Sequence, residues 1–169
     1  MTVQTRVGQG FDIHRFVDGP SDRVLILGGV TFAGERALVG HSDADVIAHA
    51  VADALLGAAG LGDIGQHFPD TEPQWKNVDS LKLLEKVAAM LGEAGYEIGN
   101  VDCSVVCERP KLAPHRDAMQ QNLSKAAGAP VSVKGRRAEG LGNASTAREL
   151  SALKAFIAFA RLLRDRLGL

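Results

Sequence analysis

Cysteine is scarce in this chain and net charge is almost absent, and each shortage removes a class of function. The 169 residues include only two cysteines, Cys103 and Cys107. There is no Cys-x-x-Cys pair, which excludes a structural zinc finger. If 97–107 is one strand, the two thiols stand about 13 Å apart at about 3.3 Å per residue, outside disulfide reach. Free thiols fit a reducing cytoplasm. A formal charge of −1 provides no field that favours nucleic acid or a membrane surface, so neither is expected as a partner. No apolar run approaches the roughly 20 residues of a membrane span, and MTVQTRVGQGFDIH at the N-terminus has no apolar signal segment. The expectation is a cytoplasmic protein, and a plastid location is also compatible with it, although no transit segment is visible. There is no internal repeat and no low-complexity tract. What remains is an ordinary globular composition, 46% apolar and 23% charged, at a length that suits one domain, 1–169, with a real core.

The most informative stretch is GHSDADVIAHAVADALLG, 40–57. Its spacing predicts a helix from about Asp43, with Asp45, His49 and Asp53 at i, i+4 and i+8 on one face. Val46, Val51, Ala54 and Leu55 fall on the apolar side. Ser42 or Asp43 suits the N-cap. The N–H groups at that end offer a phosphate site, or simply an ordinary cap. Upstream, Thr2–Val7 and Phe11–Phe16 read as strand, interrupted by Gly8 and Gly10, where the backbone turns sharply or approaches something closely. Asp12 and His14 are two residues apart and share a strand face. With His49 they make two nitrogens and one oxygen, a three-ligand set for Zn²⁺ that leaves a position open for substrate. Unrelated polar residues are the competing explanation.

The rest of the chain alternates. Val24–Leu27 and Val30–Phe32 predict a hairpin about Gly28-Gly29. The connector 57–79 carries Asp63, His67, Asp70 and Trp75 and reads as a substrate-covering loop, the alternative being plain disorder. Ser80–Gly95 is an amphipathic helix without evident chemistry. Glu97–Cys107 alternates as a strand with one polar face. A helix follows from about Pro114 to Ala127, closed by Gly128. The strand Val131–Arg137 gathers Lys134, Arg136 and Arg137, either for an anionic ligand or as solvated charges. Ser145–Leu167 reads as a packing helix, with Thr146 and Glu149 as a capping box. The class is α+β, a mixed α/β sandwich in one domain with helices on one face of the sheet.

Taken together, GQGFDIHRF (8–16), LILGGV (25–30), GHSDADVIAHAVADALLGAAGLGDIGQHFPDT (40–71), GNVDCSVVCERPKLAPH (99–115) and VKGRRAEGLG (133–142) resemble the 2-C-methyl-D-erythritol 2,4-cyclodiphosphate synthase family, the cyclases of the non-mevalonate isoprenoid pathway. The resemblance implies a homotrimer, its sheets packed together and its active sites at the subunit interfaces. It also implies an intramolecular phosphoryl transfer on a substrate carrying CDP, with loss of CMP. Divalent metals are implied: Zn²⁺ on Asp12, His14 and His49, and Mg²⁺ or Mn²⁺ bridging the substrate diphosphate on Glu139. Substrate contacts fall on Asp12, His14, His41, Ser42 and Glu139. Asp63 and Gly65 match contacts to the methylerythritol portion, Phe68 and Asp70 lie in the matching flexible loop of the substrate site, and Cys107, Pro110, Lys111, Leu112 and Ala113 match the segment whose backbone reads cytosine. Asp45 and Asp53 sit where carboxylates would orient histidine ligands.

The chain departs from the family pattern in two places. Lys134-Gly135-Arg136-Arg137-Ala138-Glu139 stands where the family reads Lys-Ala-Thr-Thr-Thr-Glu. His41, Lys134, Arg136 and Arg137 are then the candidate catalytic groups, an arginine replacing a threonine hydroxyl near the transferred phosphates. From 143 to 169 an atypical helical segment is expected in place of the family's apolar strand. The rival reading is a non-catalytic relative that binds metal and cytidine nucleotide, and a weaker one is a generic zinc hydrolase.

Overall fold

Gly8 and Gly10 set the distance on which the fold is built. A computed structural model describes residues 2–137 and 152–166. In it, strand β1 (Thr2–Arg15) lies directly under helix α1 (Val46–Ala59). A Cβ on Gly8 would collide with the backbone of Ala54 and Ala58, and one on Gly10 with that of Ala50 and Ala54. The two glycines therefore serve close approach, and the strand runs through them without a turn.

The hairpin β2 (Leu25–Leu27) and β3 (Val30–Phe32) follows β1 as expected. After α1 come the short helix α2 (Ile64–His67), a 3-10 turn at Pro73–Trp75, and helix α3 (Ser80–Glu93). Strand β4 (Glu97–Val106), helix α4 (Arg116–Ala127), strand β5 (Val131–Arg136) and strand β6 (Ala152–Arg166) complete the chain. The main sheet has the order β1-β6-β4-β5. β6 is antiparallel to both neighbours, and β4 and β5 are parallel. The helices cover one face, as the alternation along β4 shows: Val101, Cys103 and Val105 are buried, while Asp102, Ser104 and Val106 are half-exposed. On the other face Val3, Val7, Phe11, Ile13 and Phe159 are exposed. Both cysteines are free and buried. Among the described residues no helix is long and apolar enough to cross a membrane.

Two expectations are corrected. The helix expected over 145–167 is strand β6 wherever the structure describes it, and it lies in the middle of the sheet. The apolar strand expected to be missing is therefore present. Alanine, leucine and arginine favour helix in isolation, but pairing along two edges overrides that preference. The alanines have another purpose: Ala160 is opposite Gly8 and Ala158 opposite Gly10, both buried. Together they form a floor of small residues that α1 can approach. The capping pair Thr146 and Glu149 lies outside the described residues.

Helix α1 begins at Val46, later than expected, and its N-cap is Asp45. The preceding residues are taken up by local side-chain turns. Ala44 N–H donates to Ser42 Oγ and Asp45 N–H to Asp43 Oδ1, both at 3.1 Å. Ala44 adopts a left-handed φ of 62°. Such turns compete with helix. Asp45 is fully buried and accepts from the N–H groups of Ile47, Ala48, Gly28 and Gly29. It welds the hairpin turn to the helix. The Ile47 and Ala48 N–H groups at the N-terminus of α1 are thus taken by the helix's own carboxylate, as in an ordinary cap.

Candidate metal centre

α1 is buried almost all round. His49, Asp53 and Gly57, spaced i, i+4 and i+8, are its only residues that are not. The polar stripe is therefore one turn further along than the sequence pattern suggested, and Asp45 is not part of it. Asp53 Oδ1 accepts from Ile64 N–H at 2.8 Å, pinning α2 to α1. Neither aspartate orients a histidine through a hydrogen bond, contrary to expectation.

At the head of that stripe, β1 brings Asp12 and His14 against His49. The register of β1 on β6 shifts between the two β1 residues, and both still converge on the helix. Asp12 Oδ2 is 3.0 Å from His14 Nε2 and 3.0 Å from His49 Nδ1, and the two nitrogens are 3.3 Å apart. The side chains of Asp12, His14 and His49 are 22%, 17% and 13% exposed. Asp12 Oδ1 accepts from Ile13 N–H at 2.8 Å, which aims the other oxygen at the histidines. Among the described residues this is the one group of His, Cys, Asp and Glu side chains close enough to hold a metal ion.

The far side of each imidazole shows why the group fits a cation. His14 Nδ1–H donates to the Val39 carbonyl at 2.6 Å. A carbonyl only accepts, so that nitrogen carries a proton and Nε2 presents its lone pair to Asp12 in the neutral ring. His49 Nε2 faces the hydroxyls of Ser80 at 2.9 Å and Ser42 at 3.1 Å, and His49 Nδ1 faces Asp12. Three electron-rich atoms at such distances repel one another unless positive charge sits among them. The titration of the groups carries the same sign. Burial works against the charge on Asp12, but the contacts with His14 and His49, which donate to it when their rings are protonated, outweigh it and hold the carboxyl well below its usual range. Burial likewise opposes charge on His14, but the bond to Asp12 and its negative charge prevail and raise the imidazole.

The other expected residues are distributed as follows. Ser42 lies beside His49. His41 Nε2–H donates to the Glu72 carbonyl at 3.3 Å. Asp63 caps α2, accepting from the backbone and side-chain nitrogens of Gln66. Gly65 is within α2, and Phe68 packs edge-on against Trp75 at 5.0 Å between ring centroids. Asp70 follows in the turn. The connector is thus ordered by these contacts and is not a bare loop. A pocket of about 270 Å³ is lined by Cys107, Glu108, Pro110, Lys111, Leu112 and Ala113, with Gly135, Arg136 and Arg137 on its other side. Burial, and then the charge of Glu108, push the Cys107 thiol up to about 11, so it is no nucleophile. Lys134 stands apart from this pocket: it pairs with Asp102 on the uncovered sheet face. Arg137 reaches Glu108 at 3.4 Å. Glu139 lies outside the described residues. Sequence reasoning missed Ser80, the Val39 carbonyl and the role of Asp43. Ser80 is 31 positions from His49, and no local pattern connects them.

The chain is similar to known proteins over most of its length. The YgbB family model matches residues 5–158. A 2-C-methyl-D-erythritol 2,4-cyclodiphosphate synthase of Trichlorobacter lovleyi is 51% identical over 150 residues, 87% of this chain and 94% of that protein. One from Salinibacter ruber is 55% identical over 140 residues, 81% of this chain and 87% of that one. Among solved structures, the bifunctional IspDF of Campylobacter jejuni superimposes with a TM-score of 0.85 at 35% identity, covering 97% of this chain and 43% of that one. A 2C-methyl-D-erythritol-2,4-cyclodiphosphate synthase in its CDP-bound form gives a TM-score of 0.76 at 34% identity, covering 94% of this chain and 99% of that one.

Proposed function

The chain belongs to the YgbB family, and on that premise we propose that it is a phosphorus–oxygen lyase of isoprenoid precursor biosynthesis that forms 2-C-methyl-D-erythritol 2,4-cyclodiphosphate. The observation that carries the reading is the convergence of Asp12 Oδ2, His14 Nε2 and His49 Nδ1, each turned inward by a hydrogen bond on its far side. The substrate is 4-diphosphocytidyl-2-C-methyl-D-erythritol 2-phosphate. An oxygen of its 2-phosphate forms a bond to the β-phosphorus, the bond from that phosphorus to the bridging oxygen breaks, and CMP leaves with the electron pair. The attacking phosphate is already an anion, so no general base is required. Such a transfer needs alignment and neutralised charge more than covalent help.

Asp12, His14 and His49 hold zinc in this reading. Their spacings of 3.0–3.3 Å match the roughly 3.3 Å between ligands of a tetrahedron with about 2.0 Å bonds. Bound there, the metal would neutralise charge on the phosphoryl group and help orient it. Glu139 would hold a second ion, magnesium or manganese, that neutralises charge on the substrate diphosphate. His41 and Ser42 contact phosphate. Asp63, Gly65, Phe68 and Asp70 cover the methylerythritol end. The pocket from Cys107 to Ala113 takes cytosine against the backbone of Pro110–Ala113, with Lys111 near the nucleotide. Arg136 and Arg137, on the same pocket, supply charge-assisted donors where threonines are usual. The similar structure with CDP bound supports a CDP-bearing ligand.

The exposed apolar residues of the uncovered sheet face, Val3, Val7, Phe11, Ile13 and Phe159, support that face as the subunit contact of a homotrimer. Two free cysteines support a cytoplasmic location.

The test is turnover. The protein is incubated with the substrate, Mg²⁺ and trace Zn²⁺, and the products are followed by phosphorus NMR beside His49→Ala. CMP and cyclic diphosphate should appear in equal amounts and vanish in the variant. Zinc and CDP binding without CMP release would replace this reading with the non-catalytic relative.

A further inference from the structure

Ser80 is the first residue of α3 and is 1% exposed. Its hydroxyl has three polar neighbours. It donates to Asp43 Oδ1 in the shortest contact of the group, while Asp43 Oδ2 accepts from Ser80 N–H at 3.1 Å. Its oxygen lies 2.9 Å from His49 Nε2 and 3.2 Å from Ser42 Oγ. A hydroxyl has one proton and two lone pairs. A carboxylate is the strongest acceptor of the three neighbours, so the Ser80 proton goes to Asp43. Ser80 can then only accept from His49 and Ser42, and its bonding capacity is filled.

From this count we propose that Ser80 is a positioning residue: held by Asp43, it fixes His49 in the Nε2–H tautomer and so frees Nδ1 for the metal. The proposal rests on the metal reading above for its consequence, but not for its geometry. Ser42 has a different part. Its oxygen accepts from Ala44 N–H and its proton has Ser80 Oγ as acceptor. Without Ser80, that proton turns to His49 Nε2 and drives the imidazole proton onto Nδ1, where it blocks the metal. Loss of Ser80 is therefore worse for the metal than loss of Ser42, although Ser42 belongs to the recognisable His-Ser-Asp motif.

The experiment measures two things on the full chain. Zinc affinity is read by competition with a chelator. The tautomer of His49 in the metal-free protein is read from its ring ¹⁵N shifts at alkaline pH, with circular dichroism to establish folding. Ser80→Ala should lower zinc affinity by about 10- to 100-fold, the usual consequence of losing a group that orients a ligand, and should shift His49 towards Nδ1–H. Ser80→Thr, which keeps the hydroxyl, should restore both. Asp43→Ala, which removes the acceptor of the Ser80 proton without touching His49, should shift the tautomer in the same direction. Ser42→Ala should leave both close to wild type. Unchanged zinc affinity and ring nitrogens in Ser80→Ala and Asp43→Ala would overturn the proposal, as would a larger effect in Ser42→Ala. A wild-type protein that takes up no zinc would sink the metal reading alone, and the tautomer shift would still decide the role of Ser80.

Discussion

The corner at His49 and the pocket at Cys107 are built in opposite ways. In the corner, Asp12, His14 and His49 are mostly buried, and each has a partner behind it: Ile13 N–H, the Val39 carbonyl, the Ser80 hydroxyl. Strand β1, helix α1 and helix α3 all contribute. In the pocket, Arg136 and Arg137 are exposed, and Arg137 is restrained by a partly exposed ion pair with Glu108. Converging lone pairs must be aimed to within tenths of an ångström, so the chain commits buried hydrogen bonds to them. A cation that meets a phosphate can stay mobile in solvent and be ordered by its ligand. The corner should therefore be coupled to the stability of the fold, and the pocket should not.

The hardest way to break that contrast is at Gly10. Gly10→Ala forces a methyl into the backbone of α1. It should cost about 3 kcal/mol, the upper range for overpacking, and weaken zinc binding as α1 lifts from β1. Urea unfolding and a chelator competition measure the two effects together. If stability alone falls and zinc binding survives, the corner is not coupled to that packing.

Asp45 sharpens the comparison at a smaller scale. An asparagine can accept at only one of the two oxygens that now take four N–H donors, so Asp45→Asn should cost about 2 kcal/mol. It should also change the pH dependence. Burial, with a contribution from the charge of Asp43 and against the opposing N–H bonds, raises this carboxyl from 3.8 to about 6. Between those values the folded chain holds a proton that the unfolded chain has released. The group therefore makes stability fall as pH rises across that window. The asparagine variant should lose this slope in urea midpoints taken from about pH 4 to about pH 6 on chelator-treated protein. An unchanged slope would mean that Asp45 is ionised throughout.

The smallest effect on the fold belongs to the pocket. Arg137→Ala removes an exposed ion pair and should change stability by no more than about 0.5 kcal/mol. It should weaken CDP binding by about tenfold, as expected for one charged hydrogen bond, measured by calorimetry. A stability loss as large as that of Asp45→Asn would erase the distinction between the regions.

How far the sequence disclosed these regions varies with the distance over which each contact acts. Asp12 and His14 share a face because a strand repeats every two residues, and a bulge did not spoil it. The hairpin at Gly28-Gly29, the apolar spacing of α3 and the stop at Gly128 are equally local. Asp45 falls on the His49 face only if helical phase is extended one residue too far, across the cap. Residues 152–166 read as helix in the sequence because alanine favours helix alone, whereas here it is small enough to sit beneath α1.

The sequence by itself therefore determined the types of ligand and their local geometry: a carboxylate and an imidazole two apart on a strand, and a second imidazole on a helix. Backbone periodicity sets those relations before any tertiary contact forms. Only the tertiary structure decided which nitrogen of each imidazole is free, because the partners Val39 and Ser80 lie 25 and 31 positions away along the chain. It also decided that 152–166 is a strand, because a strand is stabilised by neighbours it must find elsewhere in the chain, and here those are β1 and β4.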